Sequence, residues 1–137
     1  MIKELMEKSI RNLQGYVEMR YHKRDTFSIY VKDGKIDTLN SGSMAGVCGR
    51  ILLDGSFGFA STTIVEKQNI DRMLKDAYSL ANRSRAKKKR RVSLADIEPA
   101  NDKYETSMKV DPRKIDKQEL VRVVIDADKE VRAFSQS

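Results

Sequence analysis

Residues 16–61 read YVEMRYHKRDTFSIYVKDGKIDTLNSGSMAGVCGRILLDGSFGFAS. Apolar and polar residues alternate along this stretch in four runs, and an Asp-Gly pair interrupts the alternation twice, at Asp33-Gly34 and at Asp54-Gly55. A two-residue turn between antiparallel strands needs residues that tolerate positive φ, and Asp-Gly meets that need. The stretch therefore predicts a curved antiparallel sheet of about four strands.

The first run also predicts which side chains enter the core. Successive side chains of a strand point to opposite faces, so one register places all the apolar members of the run inside and leaves its charges in water. The apolar set is Val17, Met19 and Tyr21, and the opposite set is Tyr16, Glu18, Arg20 and His22.

One helix is predicted before this stretch and another after it. In residues 1–14 the apolar residues recur at spacings of three and four, and Gly15 follows where a left-handed cap is favoured. A second helix is predicted to begin at Asn69, which would serve as its N-cap. Its apolar stripe consists of Ile70, Met73, Leu74, Ala77, Tyr78 and Ala81.

A third helix is predicted near the end of the chain. Asp111-Pro112 breaks the preceding segment, and Asp116 with Glu119 fits a capping box. Its apolar stripe consists of Leu120, Val124, Ala127 and Val131. The sequence thus predicts an α+β fold in the order α-β-β-β-β-α-α, with the sheet packed against helices.

The composition fits one domain. The chain has 137 residues, of which 39% are hydrophobic, and this is enough for one modest core over residues 1–137. No apolar run is long enough to cross a bilayer, and no signal peptide opens the sequence. The single cysteine, Cys48, cannot form an internal disulfide. These features predict a cytoplasmic protein with no membrane partner.

The glycines of the later runs allow two interpretations. Glycine within a strand often marks a bulge, a turn or a close approach by another backbone, and this interpretation is favoured. The alternative is a groove in which an extended peptide binds through main-chain hydrogen bonds. The candidate groove residues are Gly42, Ser43, Gly46, Gly49 and Gly58.

The net charge of +7 comes from one short segment. Residues 83–91 read RSRAKKKRR, and such clusters can neutralise phosphates without regard to sequence. The run contains no aromatic residue that could stack on a base, and no helix-turn-helix, zinc-finger or RNP signature accompanies it. A solvated helix end is therefore favoured over a nucleic-acid or other polyanion patch. The patch would consist of Arg83, Arg85, Lys87, Lys88, Lys89, Arg90 and Arg91.

The chain resembles the N-terminal domain of the TldD/PmbA proteins, a family of metal-dependent peptidases also labelled modulators of DNA gyrase. The resemblance rests on the order YVEMRY, a strand ending in VKDGKI, the SGS of residues 41–43, and GVCGRILLDGSFGFAST. It continues through the helix at Asn69 to the DKYE of residues 102–105 and to Asp111-Pro112. It therefore covers nearly the whole chain.

The resemblance implies a part in the proteolysis of unfolded peptides. The metal motif of full-length members, a His-Glu pair followed three residues later by a second His, lies in their C-terminal half, and nothing in this chain matches it. A divalent metal, expected to be zinc, would belong to a metallopeptidase domain beyond Ser137. Family members pair as related subunits, of which one kind lacks the motif. The expected partners are therefore a related subunit, in a homo- or heterodimer, and a peptide substrate.

The residues themselves predict no catalytic, cofactor or metal site in this chain. A catalytic zinc usually needs three protein ligands, and only His22 and Cys48 supply nitrogen and sulfur. They lie on separate predicted strands, where an exposed histidine and a small core cysteine are favoured. A two-ligand site completed by a carboxylate is the alternative.

Three functions follow from these observations. The favoured one is a scaffold and peptide-groove domain of a TldD/PmbA-type metallopeptidase, inactive by itself. The second is a basic, gyrase-modulator-like module that binds nucleic acid or another polyanion. The third is a stand-alone interaction domain that docks a protein through an open sheet edge.

Overall fold

The computed structural model describes residues 2–87, 89–98 and 100–135, except for the side chain of Ser135. Its α+β architecture confirms the predicted fold class. The elements are α1 (Ile2–Ile10), β1 (Tyr16–Lys32), β2 (Lys35–Leu53), β3 (Ser56–Thr62), α2 (Lys67–Arg85), a 3-10 turn (Pro112–Lys114) and α3 (Lys117–Ser135). Among the described residues, no helix has both the length and the hydropathy needed to cross a bilayer.

The described sheet has three strands in the order β1-β2-β3. The predicted number of about four is close to this. The difference arises in β1, which runs for 17 residues without a break and so joins two of the four alternating runs. In β2 the 19 residues from Lys35 likewise pass through Gly42, Gly46 and Gly49 as one strand.

Both Asp-Gly pairs form the predicted turns. The φ angles of Asp33 and Gly34 are 51° and 76°, and those of Asp54 and Gly55 are 46° and 77°. Positive φ at both central residues is the signature of a type I′ turn, whose twist matches that of the flanking antiparallel strands. The first turn joins β1 to β2, and the second joins β2 to β3.

The chain forms two compact units, and β1 and β2 contribute to both. The first unit takes the described residues of Met1–Arg24 and Ser43–Ile97. The second unit takes those of Asp25–Gly42 and Glu98–Ser137. The assignment of residues 1–137 to a single domain stays a prediction.

The core of the first unit lies between its sheet and α2. Val47, Ile51 and Leu53 alternate along β2 and are buried on the face that α2 covers. Val17 and Met19 of β1 pack against the same core, as the alternation predicts, but the prediction is wrong for Tyr21, which is 39% exposed. The predicted α2 stripe is confirmed, with Ile70, Met73, Leu74, Ala77 and Ala81 buried and Tyr78 packed beside them.

The predicted start of α2 is two residues late. The helix begins at Lys67, with Glu66 in the N-cap position and no side-chain cap. The Ile70 N–H already donates to the Glu66 carbonyl at 2.9 Å, and Lys67 pairs with Asp71 at 2.5 Å one turn later. Because this i,i+4 pair supports the first turn, the helix forms without Asn69 as its cap.

The first helix is shorter than predicted. It ends at Ile10, and Gly15 lies five residues further on, with a φ of +87°. A Cβ at Gly15 would lie 2.5 Å from the Leu52 carbonyl oxygen. Gly15 therefore turns the chain closely past β2 into β1 and does not cap the helix. Met1 lies outside the described residues.

In the second unit, α3 packs on the outer half of the β1–β2 hairpin. The Gly34 N–H donates to Asp128 Oδ2 at 2.8 Å, and Arg132 Nε donates to the same oxygen at 2.9 Å. Near the start of α3, Lys117 Nζ lies 5.2 Å from the centroid of the Phe27 ring. The helix therefore contacts the hairpin along its length.

The predicted N-cap of α3 is confirmed, and the prediction of its apolar stripe is partly wrong. Asp116 Oδ1 accepts a hydrogen bond from the Gln118 N–H at 2.6 Å, as expected of an N-cap. Val131 of the predicted stripe is 69% exposed, and Ala127 is exposed as well. The side of α3 that meets the hairpin tip carries Asp128 instead, because a polar turn offers an N–H donor for a carboxylate.

Candidate functional site

The sheet of the first unit has one face that its helices do not cover. In the β2–β3 register, Cys48 pairs with Ser61, Arg50 with Phe59, and Leu52 with Phe57. These residues alternate with those that face α2, so they point to the other side. Phe59 is 57% exposed there. We call this surface the open face, which comprises Glu18, Arg20, His22, Cys48, Arg50, Leu52, Phe57, Phe59 and Ser61.

A network of charges orders the middle of the open face. The Glu18 carboxylate accepts hydrogen bonds from Arg50 Nη2 and, at 2.8 Å, from Arg20 Nε. The hydrogen bond from Arg50 is the main cause that lowers the pKa of Glu18 below its usual value, against the effect of burial. The Arg50 guanidinium also lies 5.1 Å from the centroid of the Phe57 ring. These contacts hold Arg50 across the sheet beside an aromatic surface.

A shallow basin of about 660 Å³ lies where β3 ends. Its charged side chains are Arg20 and Arg24, with His22 between them on β1, and no described acidic residue lines it. Met44, Cys48 and Ser61 are also among the residues that line it. The full lining is Arg20, Tyr21, His22, Arg24, Met44, Ala45, Gly46, Val47, Cys48, Ser61, Thr62 and Thr63.

The predicted groove glycines do not lie together. Gly46 lines the basin, whereas Gly49 and Gly58 lie under α2. A Cβ at Gly49 would be 2.9 Å from Leu74 Cδ2, and a Cβ at Gly58 would overlap the Ala77 carbonyl. These two glycines thus allow the close helix–sheet approach that the favoured interpretation describes. Exposed Ser43 belongs to the first unit, and Gly42 belongs to the second.

The basic run lies beside the β2–β3 turn. Arg83 and Arg85 are in the last turn of α2, and Arg85 Nη1 pairs with Asp54 Oδ2 at 2.9 Å. Arg91 passes the turn closely, since a Cβ at Gly55 would lie 2.6 Å from the Cβ of Arg91. Lys88 lies outside the described residues. The remaining basic residues, Lys87, Lys89 and Arg90, are exposed.

The structure brings the two soft metal donors onto one surface. His22 of β1 and Cys48 of β2 both line the basin, where the histidine is exposed and the cysteine is half-buried. Among the described residues, no group of three or more His, Cys, Asp or Glu side chains could hold a metal ion. The side chains of this part of the chain therefore do not fit a catalytic zinc, which needs three protein ligands.

The sequence also contains a signal for two edges of the basin. Arg20, His22 and Arg24 occupy alternate positions of β1, so their side chains point to the same face of the sheet. The register that places Cys48 opposite Ser61 follows from the type I′ turn at Asp54-Gly55. These rules indicate a cationic edge on β1 and a strand end rich in hydroxyl groups on β3, and the pairing of both strands with β2 brings the two together.

Comparison with known proteins identifies relatives of this chain. Residues 17–81 match the family described as PmbA/TldA metallopeptidase domain 1. The Metalloprotease MJ0996 of Methanocaldococcus jannaschii is 28% identical over 127 residues, which cover 89% of this chain and 28% of that protein. The crystal structure of TldE from Thermococcus kodakarensis aligns with a TM-score of 0.67 and 17% identity, over 98% of this chain and 30% of that one.

These relatives are much longer than this chain. It spans 28% of the curated metalloprotease and 30% of the solved TldE chain. At 17% identity, the likeness to TldE shows a shared fold. The family match covers β1 to β3 and most of α2, which together build the core and the open face of the first unit.

Proposed function

We propose that the chain is the N-terminal domain of a TldD/PmbA-type protein, and that it is the scaffold and peptide-groove domain of a metallopeptidase that acts on unfolded peptides. In this proposal the chain binds the peptide and does not cut it alone. Catalysis, with a divalent metal that we expect to be zinc, belongs to the part of the family's length that this chain does not cover. A related subunit, identical or different, completes the enzyme.

The open face is the observation that carries the peptide-binding role. It offers the exposed ring of Phe59, the half-buried Phe57 and Leu52, and the guanidinium of Arg50 on one side of the sheet. Apolar area removed from water contributes about 25 cal/mol per Å² to binding, and an aromatic ring presents much of it. A guanidinium at the same place can donate hydrogen bonds to peptide carbonyl groups.

The dimensions of the open face suit a short extended segment. Ser61 lies four positions after Phe57 on β3, and at about 3.3 Å per position this distance is about 13 Å. An extended peptide of about four residues spans that length. Unfolded chains reach this conformation readily, whereas a folded substrate would have to open first.

A binding measurement with a neutral peptide tests this role. We would titrate the chain into a dansyl-labelled octapeptide of alternating serine and valine, amidated at its C-terminus, and follow fluorescence anisotropy. We expect saturable binding, and we expect Phe59→Ser to weaken it about tenfold, since the exposed ring supplies much of the contact area. Leu80→Ser is the matched control, because Leu80 is 50% exposed on α2, away from the open face.

Two results would contradict the proposal. Equal loss of affinity in Phe59→Ser and Leu80→Ser would show that the open face is not where the peptide binds. Cleavage of the octapeptide by the chain alone with added zinc, detected by mass spectrometry, would contradict the assignment of catalysis to another part of the enzyme.

A further inference from the structure

The basin at the end of β3 has one sign of charge. Two arginines and a histidine line it, and no described acidic residue is part of the lining. Arg20 shares Glu18 with Arg50, so a single carboxylate outside the basin balances two guanidinium groups, of which only that of Arg20 lines the basin. The basin therefore carries an uncompensated positive charge.

The chemistry of the lining is suited to a carboxylate. Arginine offers a planar fork of N–H donors that matches the two oxygens of a carboxylate. The hydroxyl groups of Ser61 and Thr63 add donors on the opposite side of the basin. Half-buried Cys48 and exposed Met44 give the remaining wall an apolar character that weakens competition from water.

The basin is continuous with the open face. Ser61 belongs to both, and Phe59 is the next residue along β3 on the same side. A peptide that lies over Phe57 and Phe59 would therefore reach Arg24 with its end or with a nearby side chain. This arrangement places a charged anchor at one end of an otherwise apolar surface.

We propose that the basin anchors a carboxylate of the bound peptide through Arg24 and Arg20, and so selects peptides that present a carboxylate at that end of the open face. This inference rests on the proposed function, because it names the chemistry of a peptide that the open face binds. The carboxylate can be the C-terminus of the peptide or an acidic side chain, and the two sources are separated by experiment.

The test uses three dansyl-labelled octapeptides of alternating serine and valine with the full 137-residue chain. The first ends in a free carboxylate, the second in an amide, and the third in an amide with an aspartate in place of the last serine. We expect the first or third to bind about fivefold more tightly than the second, as a partly exposed charge-assisted pair would give. A preference for the first identifies the C-terminus as the anchor, and a preference for the third identifies the side chain.

Two arginine variants complete the test. Arg24→Gln should reduce the affinity for the carboxylate peptide to that for the neutral amide, and it should leave the amide peptide unaffected. Arg72→Gln is the matched control, because Arg72 is exposed on α2, across the sheet from the basin. An equal drop in both arginine variants would overturn the anchor, because it would reflect only the change in net charge.

The outcomes separate the two proposals. Equal binding of all three peptides would overturn the carboxylate anchor and leave the peptide-binding role intact. Failure of every peptide to bind, with folding verified by circular dichroism, would overturn both. Loss of the carboxylate preference in Arg24→Gln with unchanged amide binding supports both.

Discussion

Gly58 of β3 lies directly beneath the Ala77 carbonyl of α2, with no room for a side chain between strand and helix. A Cβ at Gly58 would overlap that oxygen and would come within 2.6 Å of the Ala81 N–H nitrogen. Both obstacles are helix backbone, which cannot rotate aside as a flexible side chain can. Only the hydrogen atom of a glycine fits at position 58, so this residue allows α2 to approach the sheet as closely as it does.

We expect Gly58→Ala to destabilise the first unit by about 3 kcal/mol, the upper end of the usual cost of overpacking a core. The free energy of unfolding in urea measures this. Gly42→Ala is the matched control, since a Cβ there would meet only Thr26 Oγ1, at an ordinary 3.5 Å. Comparable losses in the two variants would mean that the close approach at Gly58 does not limit the packing.

A second prediction concerns the hairpin tip of the second unit. Asp128 Oδ2 accepts from both the Gly34 N–H and Arg132 Nε, so Asp128→Ala removes the acceptor of two hydrogen bonds. We expect a loss of about 1–3 kcal/mol and faster exchange of the Gly34 amide proton in NMR. Asp126→Ala should change neither quantity measurably, because within the described part of the chain Asp126 forms an exposed pair with Lys129 and no other ion pair. Unchanged protection of Gly34 in Asp128→Ala would refute this prediction.

A third prediction concerns acid stability. Hydrogen bonds from Arg50 and then Arg20 lower the pKa of Glu18 from its ordinary 4.5 in the folded chain. A carboxyl whose folded pKa is lowered stabilises the protein above its unfolded pKa, and this contribution is lost as the pH falls through the folded value. We expect Glu18→Gln to lower the free energy of unfolding by about 1 kcal/mol at pH 7. The difference in this free energy between the variant and the parent chain should shrink below pH 4.5.

The control for the acid experiment is Glu4→Gln. Glu4 forms an exposed i,i+4 pair with Lys8, so its replacement should have a small effect at every pH between 2 and 7. Denaturant unfolding at several pH values provides the comparison. If the free energies of unfolding of Glu18→Gln and the parent chain differ by a constant amount down to pH 2, the pairing of Glu18 with its arginines does not stabilise the fold.

A fourth prediction separates the basic run from the peptide site. Lys87, Lys89 and Arg90 are exposed, whereas Arg85 is engaged by Asp54. Replacing those three exposed residues with Gln should lower the salt concentration at which the chain elutes from heparin, because fewer counterions are released on binding. It should leave the affinity for the neutral octapeptide unchanged. A fall in peptide affinity would place the basic run in the peptide site and weaken the role of the open face.

The sequence predicted the features that depend on local chemistry. Asp-Gly specified both type I′ turns, alternation placed Val17 in the core, and helical spacing identified the buried side of α2, because each signal acts over a few residues. The start of α2 was wrong by two residues, since an ion pair from Lys67 supported the first turn without a side-chain cap.

Features that depend on distant parts of the chain were not predicted. The predicted stripe of α3 places Val131 in the core, but Val131 is exposed. The side of α3 that contacts the hairpin tip carries Asp128, which accepts a hydrogen bond from Gly34, 94 residues earlier in the chain. The basin depends on the register between strands, which brings Arg24 and Ser61 to one surface. Periodicity within a single strand carries no information about that register.

The position of Cys48 has a practical consequence. It is the only cysteine in the chain, and it is half-buried in the wall of the basin. A thiol-reactive reagent will therefore modify the chain at one atom, without any mutation to remove competing sites. Slower alkylation in the presence of a ligand would report occupancy of the basin directly, and a spin label attached to the same sulfur would sense a molecule arriving on the open face.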